Sequence, residues 1–327
     1  MSQTLTRVQF LANRSGPSSV QIRRLTSYPR SVRPSKPEIQ SARLSPQNME
    51  IAMRSLFRDG LVVIEDVVPQ DALDHLNTKM VQDAYTLQAK RGDSPYNYNP
   101  GNIQQDAPPV KEFFDKNIFL NPFATQITST ALGPRPKWTF CSGNTAMPPT
   151  ESCPPMSQPV HSDADFAHPV HPFAYVINVP LITMTPENGS TEVWLGTHTD
   201  TGLHAQEGLH GERASGRIKA DELEKRRAIR APCQPVVPKG SIVIRDLRLW
   251  HAGIGNQTQI PRVMLAMIHF APWYRNPMKL EFADDLKETI EGQKDVEVPV
   301  EWVSRSEAME RYLNRGFGNA YDFNQNA

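Results

Sequence analysis

Apolar residues follow two different periods along this chain. Between residues 45 and 133 they recur at helical spacing, and beyond residue 136 they gather in short β-branched and aromatic runs. Ser45-Pro46 supplies an N-cap and a first helical residue for the segment MEIAMRSLFRDG, which Gly60 closes. LVVIEDVV then predicts a buried strand. PQDALDHLNTKMVQDAYTLQA carries Leu73, Leu76, Met80 and Ala84 on one stripe and predicts a second amphipathic helix. PFATQITSTALG predicts a shorter third, ending at Gly133. Five strands follow, PKWTFCSG, FAYVINVPLI, TEVWLG, GSIVIRDL and RVMLAMIHFAPWY, each bounded by Pro, Gly or Asn. Helices first and strands second predict an α+β, mainly β domain: a β-sandwich or barrel with N-terminal helices. Residues 199–232 form the one long connection between strands. Its charged part, KADELEKRRAIR, predicts an exposed helix, and its length suits either a solvated face or a lid.

Composition narrows the partners. Lys+Arg and Asp+Glu are 35 each in 327 residues, so no net field favours nucleic acid or an anionic membrane surface. No apolar run approaches the 18 residues of a membrane span. Cys141, Cys153 and Cys233 are odd in number and lack C-x2-C spacing, which argues against a disulfide framework or a cysteine zinc site and for reducing surroundings. Residues 1–36 contain no acid but carry Arg7, Arg14, Arg23, Arg24, Arg30 and Arg33 among Ser and Pro. The expectation is a disordered or targeting arm over residues 1–44 and a single domain over 45–327, cytoplasmic, or mitochondrial if the arm is a presequence. A small-molecule substrate is the expected partner, with room for a homodimer.

The candidate chemistry begins in HSDADF. In an extended segment His161 and Asp163 point the same way, and imidazole with carboxylate suits a divalent transition metal. Two ligands do not make a site; His251, at the end of GSIVIRDLRLWHAG, supplies a third. Two His and one carboxylate leave the other positions open, as in non-haem Fe(II) oxygenases, although zinc with a water also accepts this set. Arg262 opens the strand after His251, so an antiparallel return brings its guanidinium back toward the same region. A planar fork donor in an apolar strand needs an anion, either a dicarboxylate co-substrate or an internal Asp or Glu. The phosphate loops G-x-G-x-x-G and G-x4-G-K-[ST] and the hydrolase elbow G-x-S-x-G are absent.

Taken together, H-S-D at 161–163, W-H-A-G at 250–253, Arg262 and P-E-N-G-S-T-E-V-W-L-G-T-H at 186–198 resemble the phytanoyl-CoA dioxygenase family of Fe(II)/2-oxoglutarate enzymes, most closely its fungal natural-product members, over about residues 45–290. The resemblance implies a double-stranded β-helix (jelly roll, cupin-like), with His161, Asp163 and His251 as iron ligands and Arg262 holding the distal carboxylate of 2-oxoglutarate. It also implies Gln158, and less directly Asn144, as co-substrate contacts, and O2 as the oxidant. The expected activity is oxidation of a small apolar metabolite in secondary metabolism, by hydroxylation, with desaturation or cyclisation as other outcomes. Retention of Asp163 disfavours halogenation. The alternatives are an acyl-CoA hydroxylase of the same family, and a zinc hydrolase or non-catalytic metal-binding protein on the same fold. Asn188-Gly189 is expected to serve a turn. Arg248 departs from the hydroxyl residue that fungal relatives often carry before the distal His, and fits a substrate contact or a surface position at a strand end. His171 is expected at the pocket wall; His198, His204 and His210 in solvent; His269 hydrogen-bonded in the core; and Trp138, Trp194, Trp250 and Trp273 as core aromatics.

Overall fold

The computed structural model describes residues 28–199, 201–210, 212, 216–314 and 325. Its strands are β1 (Arg30–Val32), β2 (Leu61–Ile64), β3 (Asn102–Gln105), β4 (Lys137–Ala146), β5 (Ala174–Pro180), β6 (Glu192–Val193), β7 (Gln206–Glu207), β8 (Arg217–Ile218), β9 (Ile242–Asp246), β10 (His251–Ala252), β11 (Arg262–Phe270), β12 (Leu280–Ala283) and β13 (Val300–Val303). The helices are α1 (Lys36–Ser41), α2 (Pro46–Asp59), α3 (Gln70–Gln88), α4 (Lys116–Phe119), α5 (Pro122–Leu132), α6 (Ala220–Ile229), α7 (Lys287–Glu291) and α8 (Arg305–Arg311). None is long and apolar enough to cross a membrane among the described residues.

Seven strands make the large sheet, in the order β1-β2-β9-β5-β11-β4-β3. All its pairings are antiparallel except β1 with β2. A smaller sheet is assembled from short pieces: β6 pairs with β10, His251 of β10 bridges His161, His161 bridges Arg217 of β8, and β8 pairs with β7. This is the expected jelly roll, with helices on the large sheet. Because that sheet is covered on both sides, its strands read as continuous apolar runs. Along β2, Val62 and Ile64 join the core beneath the helices, whereas Leu61 and Val63 pack toward Val193 and Leu195 of the small sheet. β11 divides the same way: Val263, Leu265 and Met267 belong to the helix-side core, and Arg262, Met264, Ala266 and Ile268 line a cavity between the sheets.

α2 and α5 begin and end close to where the sequence places them. The Ser45 hydroxyl accepts the Asn48 N–H at 3.3 Å, Pro46 is the first helical residue, and Gly60 ends α2 at φ 76°. Asn121 caps α5 by accepting the N–H groups of Phe123 and Ala124. Two expectations need correction, the start of the ordered chain and the burial of Trp273. Residues 30–44, assigned to the arm, include β1 and α1; Glu38 accepts the backbone N–H groups of both Ser35 and Ser45 and so ties α1 to the start of α2. Residues 1–27, on which the targeting reading falls, lie outside the described residues. The 199–232 connection supplies β7 and β8 to the edge of the small sheet, and Ala205 and Ile218 are buried against Trp194 and Trp250, so these parts are built into the fold. α6 within it has no buried residue, as its charge pattern predicts. Trp273 follows the end of β11 and is 58% exposed, unlike Trp138, Trp194 and Trp250.

His269 lies in the core as expected, its Nδ1 2.9 Å from the Thr128 hydroxyl. Burial pushes its pKa down to about 3. A folded-state value below the unfolded value of about 6.5 means that the unfolded chain takes up the proton first, so stability is complete above that pH and falls below it. Between pH 6.5 and pH 5 the wild type should lose about 1.6 kcal/mol more than His269→Gln. Urea denaturation of both proteins at the two pH values measures the difference.

Candidate active site

His161 and His251 sit directly opposite each other and exchange both backbone hydrogen bonds, at 2.9 and 3.0 Å. The pairing brings their rings to 4.3 Å between centroids. In each case Nδ1 faces the carbonyl two residues earlier, Pro159 at 2.9 Å and Leu249 at 3.0 Å. A proton on Nδ1 donated there leaves the Nε2 lone pair for a metal, the arrangement that orients ligand imidazoles. Asp163 completes the triangle: its Oδ1 is 3.7 Å from Nε2 of both His161 and His251. The three ligand atoms lie within 4.8 Å of one another, and a single ion can span them. The ionisation states suit this. Burial pushes His161 and His251 below the usual imidazole range, so both are neutral near pH 7. Burial alone raises Asp163, but the Arg245 guanidinium beside it outweighs this and holds the carboxylate ionised, well below its usual range.

Arg245 is a member of this site that sequence reasoning missed. It extends from β9 to Asp163, where Nη2 donates to Oδ2 at 2.5 Å, and its Nε donates to Asn178 Oδ1 at 3.2 Å. Tyr98 was also missed. It holds a left-handed backbone (φ 66°) and sets its ring 4.9 Å from that of His161. The only signal in the sequence for Arg245 was a cation at an inward position of the strand IVIRD.

A cavity of about 100 Å³ opens beside the triad, and Arg262, Gln158 and Asn144 all line it. Arg262 is 1% exposed. Its Nη2 donates to Gly189 O at 2.7 Å and Nη1 to Asn144 O at 3.2 Å, while Nε is buried without an acceptor. Among the described residues no carboxylate pairs with it, and burial alone pushes its pKa down to about 10. The Asn188-Gly189 turn therefore does more than reverse the chain. Gly189 has φ 80°, and a Cβ there would lie 2.3 Å from Ile254 O, so only glycine lets this backbone reach Arg262 unstrained. Gln158 is fixed by Gly253, whose N–H donates to Oε1 at 2.8 Å, which leaves the buried Nε2 without an acceptor. A Cβ at Gly253 would meet Oε1 at 2.6 Å, which explains a glycine directly after His251-Ala252.

The remaining candidates fall elsewhere. Arg248 is neither at the surface nor on the cavity: it is 3% exposed and grips Asp246 with Nε and Nη2 at 2.8 and 2.7 Å, with Nη1 on Val170 O. His171 is exposed and away from the cavity wall. His198 is buried, contrary to expectation, with Nε2 3.3 Å from Phe57 O. His204 is exposed, and exposed His210 meets Asp165 at 2.8 Å.

Residues 56–264 match the family model of phytanoyl-CoA dioxygenase (PhyH). The fold is similar to solved structures at low identity. They include the epimerase SnoN in complex with Fe3+, alpha ketoglutarate and nogalamycin RO, at TM-score 0.51 and 16% identity, over 69% of this chain and 84% of that one. EctD from S. alaskensis in its apoform aligns at TM-score 0.50 and 17% identity, over 80% and 89%. The apo non-heme monooxygenase ThoJ aligns at TM-score 0.53 and 15% identity, over 81% and 95%. The family match spans well over half of the 327 residues: the chain belongs to the phytanoyl-CoA dioxygenase family of iron- and 2-oxoglutarate-dependent oxygenases.

Proposed function

We propose that His161, Asp163 and His251 hold Fe(II), that Arg262 binds the distal carboxylate of 2-oxoglutarate, and that the product is a hydroxylated small molecule. The observation that carries this reading is Arg262, a guanidinium 1% exposed at the wall of the triad's cavity and bonded only to carbonyl oxygens among the described residues. A buried cation is costly unless an anion compensates it. A dicarboxylate that also reaches the metal supplies that anion. Gln158 Nε2, the one free donor of a fixed amide, is proposed to hydrogen-bond the same co-substrate, with Asn144 beside it on the wall.

Bound Fe(II) and 2-oxoglutarate supply O2 activation, the co-substrate leaving as succinate and CO2 as one oxygen atom enters a C–H bond. The chain's own contribution is placement. Neutral imidazoles and an ionised Asp163 give a donor set that needs no proton removed before metal binds. The cavity wall combines apolar Phe140, Val176 and Ile268 with Gln104 and Ser142, and both its arginines are assigned, Arg245 to Asp163 and Arg262 to the co-substrate. This supports an uncharged substrate, apolar with a few hydrogen-bonding groups, over a polyphosphate-bearing CoA thioester. Fold neighbours named an epimerase and a monooxygenase fit the view that substrate placement, and not the ligand set, selects the outcome.

The test needs no substrate. Adding Fe(II) and then 2-oxoglutarate to the protein without O2 should give a weak visible charge-transfer band in the wild type and none in His161→Ala. A folded, iron-loaded wild type without the band rules the reading out.

A further inference from the structure

We propose that Arg245 is the positioning residue of the metal site: by occupying Asp163 Oδ2 it confines the carboxylate to one-oxygen ligation through Oδ1. The inference rests on the metal assignment above and adds a residue to it. Arg245 lies on β9 between Val176 of β5 and Leu61 of β2, deep in the large sheet, and is 5% exposed. From there its side chain spans the space between the sheets to reach the metal segment. Its plane is held at a second point by the Nε bond to Asn178, and Asn178 is itself anchored through Nδ2 to Leu265 O at 3.3 Å. The two oxygens of Asp163 are thereby distinguished. Oδ1 is equidistant, at 3.7 Å, from the two ligand nitrogens, and Oδ2 is engaged by a charged donor at 2.5 Å.

A carboxylate free to turn about its Cβ–Cγ bond can offer both oxygens to an ion. Here such a turn would strip the guanidinium of its only carboxylate among the described contacts, inside a low-dielectric wall where an unpaired charge is costly. Asp163 would therefore contribute a single donor atom, and the one position that a second oxygen would take would stay open for co-substrate or O2. Arg245 acts through Asp163.

The test compares the full chain with Arg245→Met, Arg245→Ala, Arg245→Lys and Asn178→Ala. Each is titrated with Fe(II) alone, without O2, against a competing chelator, and its urea unfolding is measured in the metal-free form. Arg245→Met should bind Fe(II) about 10- to 100-fold more weakly, the usual worth of a partner that orients a metal ligand. In Arg245→Ala, millimolar guanidinium should recover much of the lost affinity, which a purely structural role would not produce. Arg245→Lys, which keeps the charge but not the fork, should fall between. Folded Arg245→Met with wild-type Fe(II) affinity overturns the proposal, whatever its stability. If the Arg245 variants do not fold, Asn178→Ala decides: it releases the guanidinium plane without touching a ligand and should weaken Fe(II) binding measurably, whereas unchanged affinity overturns the inference. No arm contains 2-oxoglutarate. A wild type that takes up iron but shows no keto-acid band removes the oxygenase reading and leaves the role of Arg245 to be judged on iron affinity.

Discussion

Asp163→Ala should lower O2-dependent succinate formation by more than about 100-fold, because a side chain proposed to touch the ion should count for at least as much as the 10- to 100-fold that outer partners of a ligand are worth. The same substitution leaves Arg245, 5% exposed, without its carboxylate. Removing one member of a fully buried charged pair costs about 3–5 kcal/mol; Asp163 keeps 26% of its side chain exposed, so the metal-free variant should lose less than that but still unfold at distinctly lower urea. Asp163→Asn separates the two effects. An amide oxygen still accepts from Arg245 Nη2, so Asp163→Asn should recover much of the stability and little of the succinate formation. Succinate release at the wild-type rate by either folded variant removes Asp163 from the ligand set.

The contrast between Arg262 and Arg245 shows what was legible in the sequence. Arg262 stands out because it opens an apolar strand a fixed distance after His251, and antiparallel return is a local consequence of the turn between them. Arg245 gave no such cue. Its partner Asp163 lies 82 residues away, in the bend just after His161's bridge to the small sheet, and that pairing is decided by how the sheets face each other. Arg248 misled for the opposite reason: its partner, Asp246, is only two residues away, but the bidentate grip depends on a chain reversal at the end of β9 that no periodicity signals. β2, α2, α5 and the inner strands were readable because burial on both faces, caps and glycine stops are written in neighbouring residues. β1 was not. Three residues, RSV, are too short to show alternation, and they form a strand only because β2 offers an unpaired edge. The parts of the 199–232 connection that complete the small sheet were hidden likewise, since β7 and β8 are two residues each and take their register from His161.

Arg262→Leu should weaken 2-oxoglutarate binding by about 1.5–3 kcal/mol, the usual worth of hydrogen bonds to a charged group, which is roughly a 10- to 150-fold rise in its dissociation constant. Fe(II) affinity should be unchanged, because Arg262 touches none of the three proposed ligands among its described contacts. Arg262→Lys should recover only part of the loss: an ammonium keeps the charge, but it cannot hold Gly189 O and Asn144 O and still present a fork to a carboxylate. Titrating the anaerobic Fe(II) form with 2-oxoglutarate and following the visible band measures all three proteins. Saturating 2-oxoglutarate should also raise the urea midpoint of the wild type more than that of Arg262→Leu, since a ligand stabilises the folded state in proportion to how far it exceeds its dissociation constant. Wild-type affinity in a folded, iron-loaded Arg262→Leu would leave the buried cation without its proposed anion and place the distal carboxylate elsewhere in the cavity. A loss confined to 2-oxoglutarate, with iron retained, matches a site in which one end of the co-substrate is held by the triad's ion and the other by a cation that the fold leaves without a carboxylate of its own.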